Sequence, residues 1–300
     1  MELNKMINTD YIKKSQKGFT IVELLIAIAI SSVVMAGIYA VFESQKRTYL
    51  TQEEVVEMQQ NLRAGIDMMA DEIRMAGYDP NDIEGLGIDD IAPRDINNNA
   101  DAAITGNGFI KLSSDRNGDG ILADTEKISF SIYDFPVIAP DGTLDLGRTI
   151  GGGGRQPLAQ NIEAMGFAFA FDADGNGDLD TDAGGNIIWA SDSDGDNDLD
   201  INLDTDGDGD IDAADGPGIG NTGLIGGQAL GTDVVPDDIR AVRIYLLAKS
   251  GRRDSTIVNN FTYVVGHKVI NPLTDADPAN NNLRMRLLVT TVKCRNLELN

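Results

Sequence analysis

The sequence predicts an α+β protein: a long N-terminal α-helix, its second half packed on an antiparallel β-sheet head that carries an acidic insertion. Three observations predict it. Residues 19–42, FTIVELLIAIAISSVVMAGIYAVF, are predominantly apolar, and Glu23 is their only charge. An apolar stripe at helical spacing follows, Val55, Met58, Leu62, Ile66, Met69 and Ile73, with polar residues between its members. Beyond Gly77, short alternating segments are separated by Gly, Asn, Asp and Pro clusters. One helix followed by a run of strands is the α+β pattern.

The opening 18 residues, MELNKMINTDYIKKSQKG, hold four Lys against Glu2 and Asp10. From Leu24 to Phe42, 19 residues run without a charge, about one membrane span. Lys13, Lys14 and Lys17 precede that run, so the positive-inside rule keeps the leader in the cytoplasm and sends the rest across. A secretory signal would place its small residue after the apolar core. Here Gly18 comes before it. A plain anchor has no reason to carry Glu23, because an ion in lipid costs about 2.5–3.5 kcal/mol on the milder scales.

KGFTIVELLIA, residues 17–27, resembles the processing site of type IV prepilins. The resemblance implies cleavage between Gly18 and Phe19 by a prepilin peptidase, methylation of Phe19, and Glu23 as the fifth mature residue. A buried carboxylate needs a positive partner. In filaments of that family the partner is the terminal amine of a neighbouring subunit, here that of Phe19. The implied fold is type IV pilin-like.

The helix reads as continuous from 19 to 76, about 87 Å at 1.5 Å per residue, with a stop at Gly77-Tyr78-Asp79-Pro80. That gives a leader (1–18), a transmembrane and filament-core helix (19–43), a helical spine of the head (44–80) and a globular head (81–300). Pro80 is the first proline, whereas many major pilins break this helix with one. RAGIDMMADEIRMAGYDP (63–80), DIRAVRIYLLAKSGRR (238–253) and the tail RMRLLVTTVKCRN (284–296) resemble the PilW family of minor pilins.

Strands are expected at Gly108–Leu112, Lys127–Asp134, Ile162–Asp172, Ile239–Ala248, Thr256–Ile270 and Arg284–Lys293, in one antiparallel sheet covering the helix stripe. IGGGGR (150–155) lacks the Gly-Lys-Ser/Thr of a phosphate loop and reads as a flexible turn. Between the strands lie four acidic loops. DRNGDGILADTE (115–126) matches the EF-hand calcium pattern D-x-[DN]-x-[DN]-G-x5-E in full. Asp115, Asn117 and Asp119 supply side-chain oxygens, Gly120 the turn, Ile121 its carbonyl and Glu126 two closing oxygens. The following KISFS reads as a strand, so no helix–loop–helix is expected.

Residues 172–215 hold 16 Asp and no Lys, Arg or Glu. A mere linker of that composition would be expanded and self-repelling. Yet DADGNGDLD (172–180), DSDGDNDLD (192–200) and DTDGDGDID (204–212) share one frame. The candidate ligands are Asp172, Asp174, Asn176 and Asp178; Asp192, Asp194, Asp196 and Asp198; and Asp204, Asp206, Asp208 and Asp210. Gly177, Asn197 and Gly209 take the turn position. Leu179, Leu199 and Ile211 give each loop an apolar foot, which a spacer would not need. Asp215 closes the third loop. Ala183 and Leu203 stand at the closing positions of the first two, so their ligand comes from elsewhere, with Asp182 and Asp204 as candidates. Calcium is the expected cofactor.

Composition narrows function. With 48 Asp+Glu against 24 Lys+Arg, the formal charge of −24 argues against nucleic acid as a partner. One Cys excludes a CxxC zinc site and an intramolecular disulfide, and a lone His argues against His-based zinc sites and Ser-His-Asp catalysis. Trp189 reads as a packing anchor, His267 as structural, and Cys294 as a thiol without a His partner. The function expected is that of a non-enzymatic minor pilin. It starts in the inner membrane with its head in the periplasm and ends on the cell surface. The resemblance implies partners among minor and major pilins, the inner-membrane assembly platform and a tip adhesin. A J-type pseudopilin of a type II secretion system and a pilin-anchored, calcium-dependent adhesin are the alternatives.

Overall fold

The computed structural model describes residues 18–83, 85–93, 107–135, 143–216, 223–274 and 281–297. Residues 1–17, with Lys13, Lys14 and Lys17 of the expected leader, lie outside the described residues. Helix α1 spans Ile21–Met75, as the two joined apolar patterns require. The chain divides into two compact units, residues 1–53 and 54–300.

In the first unit α1 is long and apolar enough to cross a membrane. Its apolar side chains, from Ile21 through Phe42, are exposed. In the second unit the stripe is inward: Met58, Leu62, Ile66, Met69 and Ile73 are all buried, and Val55 is partly so. The helix stops where the sequence places a glycine. Gly77 has φ +72, a left-handed conformation that costs glycine little. Its N–H bonds the Ser113 carbonyl at 3.0 Å instead of continuing the helix.

Two main sheets flank the helix stripe, not the single sheet expected. The first is a five-stranded antiparallel meander of β1 (Ile88–Asp90), β2 (Ile110–Ser113), β3 (Lys127–Asp134), β4 (Leu144–Ile150) and β5 (Gln156–Ala159), in that order. IGGGGR forms the turn between β4 and β5. The second contains β6 (Ile162–Phe171), β7 (Ala190–Ser191), β8 (Leu199–Asn202), β10 (Gln228–Val234), β11 (Ile239–Lys249) and β14 (Met285–Lys293), in the order β10-β8-β7-β6-β11-β14. A small third sheet joins β9 (Gly223–Leu224), β12 (Tyr263–Val265) and β13 (Lys268–Ile270). The strand expected over Thr256–Ile270 is therefore a loop followed by a hairpin. Gly266, at φ +63, turns the chain between β12 and β13.

The central strands of the six-stranded sheet, β6 and β11, are buried on both faces. Met165, Phe167, Phe169 and Phe171 of β6, with Val242, Ile244 and Leu246 of β11, join the cluster around the α1 stripe. The alternate residues, Ala164, Ala168, Ala170, Tyr245 and Leu247, join a second cluster with Trp189, Leu203, Ile211, Val265 and Val269. The FAFAF alternation of β6 thus puts large side chains towards the helix and small ones beneath the acidic loops. Each fully buried large side chain stabilises the head by about 1.5–3 kcal/mol. Gly166 is required where the hairpin crosses: a Cβ there would lie 2.3 Å from the Val265 carbonyl oxygen. The acidic middle is consequently a layer of the head: its feet Leu179 and Ile211 pack in the second cluster and Leu199 in the first.

Candidate functional site

At the N-terminus Gly18, Phe19 and Thr20 precede the helix, and Phe19 is 91% exposed. Thr20 and Glu23 form a reciprocal cap. The Glu23 carboxylate accepts from the Thr20 N–H at 2.9 Å and the Thr20 hydroxyl at 2.8 Å. The Thr20 hydroxyl oxygen accepts from the Glu23 N–H at 3.2 Å. This is a capping box, T-x-x-E, which satisfies orphan N–H groups at the first turn. Within this chain Glu23 therefore has a local partner, a role the sequence reading overlooked although its spacing was visible.

The four acidic loops share one hydrogen-bond scheme. The first carboxylate of each is buried: Asp115, Asp172, Asp192 and Asp204. Each folds its loop by accepting the N–H five residues on, from Gly120 at 3.0 Å, Gly177 at 2.9 Å, Asn197 at 2.9 Å and Gly209 at 2.8 Å. The third-position oxygens of Asn117, Asp174, Asp194 and Asp206 accept the N–H two residues later. Those of Asp119, Asn176, Asp196 and Asp208 repeat the step, onto Ile121, Asp178, Asp198 and Asp210. The result is a tight coil in each loop, and in the three tandem loops carboxylate oxygens of these turns converge.

Closure also follows a rule. Glu126 accepts the N–H of Arg116 and Asn117, and Asp215 that of Thr205. In the other two loops Asp180 and Asp200 do the same for Ala173 and Ser193. Asp180 and Asp200 end the repeated nonapeptides, and the sequence reading passed over them. Asp182, a candidate for closing the first tandem loop, instead accepts the N–H groups of Gly184 and Asn186. Asp204, the candidate for the second, opens the third loop.

Three carboxylate triads have oxygens within 4.8 Å of one another: Asp172, Asp174 and Asp180; Asp192, Asp194 and Asp196; and Asp204, Asp206 and Asp215. Asp178, Asp198, Asp208 and Asp210 stand outside them. Burial pushes Asp192 up to about 6, against the N–H bonds from Gly195, Asn197 and Asp194. Asp172 is held below the usual carboxylate range by the Gly177 N–H. Burial works to raise Asp115, but hydrogen bonds from Asn81, Gly120 and Gly118 outweigh it and hold it low.

The loops are tied into the fold. Asn81 donates to Asp115 at 3.1 Å. Arg116 pairs with Glu72, a buried carboxylate on α1 that also takes Arg148 at 2.8 Å. Asn197, at φ +81, accepts the Ile91 N–H at 2.8 Å and donates to the Asp89 carbonyl at 3.4 Å. Asn186 and Gln228 donate to the Gly207 and Thr205 carbonyls at 2.9 and 2.8 Å. Trp189 is buried as expected, with the Arg243 guanidinium 4.0 Å from its ring centroid. His267 and Cys294 are buried too.

Residues 13–39 match the prokaryotic N-terminal methylation motif. Gly18, Phe19 and Glu23 lie within it, and the motif is one of prokaryotic prepilin-type proteins. No curated protein matches the chain. Among solved structures, the chain is similar to a type IV-like pilin from Thermus thermophilus, at 15% identity and a TM-score of 0.36, over 80% of this chain and 97% of that one.

Proposed function

We propose that this chain is a structural subunit of the pilin class, acting as a PilW-like minor pilin in assembly near a filament tip. The methylation motif, which runs into an exposed apolar helix, carries this reading. A peptidase cuts after Gly18, and the new Phe19 amine is methylated. Before assembly, α1 holds the subunit in the inner membrane with the head in the periplasm. Assembly withdraws the apolar half of α1 from lipid and packs it against neighbouring pilins, with no catalytic step in the subunit itself. Glu23 serves its own helix through the Thr20 cap, and its charge is available to the amine of an adjacent subunit.

The head in this proposal is stabilised by calcium. The chemistry of the donor set supports it: hard oxygens only, at alternating positions, converging as three carboxylate triads in the tandem loops. Asp172, Asp174 and Asp180 would hold one ion, Asp192, Asp194 and Asp196 a second, and Asp204, Asp206 and Asp215 a third. Asp115, Asn117, Asp119 and Glu126 would hold a fourth. A bound dication supplies the opposite charge that buried carboxylates such as Asp192 need. Deleting the gene tests the role: loss of surface pili is expected. Intact pili with lost protein export would instead identify a pseudopilin of a secretion system.

A further inference from the structure

The outer edge of the six-stranded sheet is open. β14 pairs with β11 through nine consecutive residues without a register shift. Among the described residues no strand pairs with its other side. The phase of the ladder says which backbone groups are free. The Cys294 N–H donates to the Arg240 carbonyl at 2.9 Å, and the Ser250 N–H to the Arg284 carbonyl at 2.8 Å. Hydrogen-bonded pairs alternate with non-bonded ones in an antiparallel ladder. Arg286, Leu288, Thr290 and Val292 therefore bond β11, while Leu287, Val289, Thr291 and Lys293 aim their N–H and C=O groups outward.

Natural sheets guard such edges with bulges, prolines or short strands. The opposite edge does so: the pairing of β10 with β8 is interrupted between Ala229 and Val234. β14 has no bulge and no proline. Its charges frame the strand instead of interrupting it. Residues 284–296, RMRLLVTTVKCRN, contain Arg284, Arg286, Lys293 and Arg295 and no acid, in a chain of net charge −24. Arg284 pairs with Asp254 at 2.7 Å. Arg286, Lys293 and Arg295 are exposed and make no ion pair within the described residues. Between the cations lie six uncharged residues, Leu287–Val292, with Val289 42% exposed.

We propose that β14 is a docking edge which receives an extended, acidic segment of a partner protein as a seventh strand. Main-chain bonds to Leu287, Val289, Thr291 and Lys293 would supply affinity, and the framing cations would select the charge. A second copy of this chain fits poorly, since β14 against β14 offers no opposite charge. The inference stands apart from the calcium and filament readings.

The test uses the full chain in detergent micelles, with amide exchange followed by NMR. The probe is a synthetic peptide alternating Glu with Val and Thr, compared with its charge-reversed Lys twin. The Glu peptide should slow exchange at Leu287, Val289, Thr291 and Lys293 by about tenfold or more, leaving Leu288 and Thr290 unchanged. Val289→Pro removes an outward N–H that the β11 ladder does not use, so it should abolish this protection while leaving the fold intact. Arg286→Glu combined with Lys293→Glu, both on exposed side chains, should reverse the preference between the peptides, and carries the test should the proline variant not fold. No protection by the Glu peptide, equal protection by both peptides, or protection of these amides by self-association without peptide would each overturn the proposal.

Discussion

Removing calcium should lower the stability of the head by an amount set by its three carboxylate triads. At about 1 mM free calcium and a Kd of about 10⁻⁴ M, mass action gives RT ln 11, about 1.4 kcal/mol per site. Three sites give about 4 kcal/mol, and a head of this size shifts by about 2–4 °C per kcal/mol. Melting should therefore rise by roughly 8–16 °C from chelator to calcium, with loop 115–126 adding a further share. Trp189 is the only tryptophan and is buried in one cluster with the loop feet Leu179 and Ile211, so its fluorescence should follow both unfolding and titration. Asp206→Ala separates the metal from the fold. Asp206 is exposed, and its Oδ1 accepts only the Asp208 N–H at 3.2 Å. In chelator the variant should lose less than about 0.5 kcal/mol, and in calcium about 1.4 kcal/mol more. Magnesium should substitute poorly, because its small octahedral shell suits these loops badly. Superimposable melting curves in calcium and chelator would refute the argument, leaving loops held by their own hydrogen bonds alone.

The N-terminal predictions concern processing and assembly. Gly18→Ala should slow cleavage, and mass spectrometry of the mature chain should begin at methylated Phe19; an intact Met1 in assembled protein is the contrary result. Glu23→Val should spare insertion but impair incorporation into filaments. Glu23→Gln keeps a capping box while removing the charge, so a defect equal to that of Val points to the amine pair, and normal incorporation points to the cap. In the head, Leu62→Ala empties a site that is 1% exposed and should cost about 2–5 kcal/mol, read as a lower denaturant midpoint at constant slope.

The helix was legible because its two apolar patterns share one register through a span without proline. β3 was legible to the residue, and β6, β11 and β14 nearly so, because their alternation is strong. The two-residue strands β7 and β9 were not, since pairing across the sheet makes them rather than any local pattern. The second face of the sheet was hinted at only by the small residues in FAFAF and the apolar feet of the loops. Loop positions were readable as spacing. The roles of Asp180 and Asp200 depend on which N–H each reaches, and the longer EF-hand template drew attention past them.

The tie between Asn197 and the backbone of Asp89 and Ile91 spans more than a hundred residues of chain, and it has company. The cover over the α1 stripe includes Val242, Ile244, Leu246 and Val292, all from the last quarter of the sequence. A ribosome delivers the spine first and its lid last. Throughout that interval Leu62, Met69 and Ile73 have only the first sheet and the earlier strands of the second for cover, so the half-made head is sticky in a way the finished one is not. The molecule is most vulnerable to misassembly before β14 arrives, and truncations in the final strands should be tolerated far less than their distance from the processing site suggests.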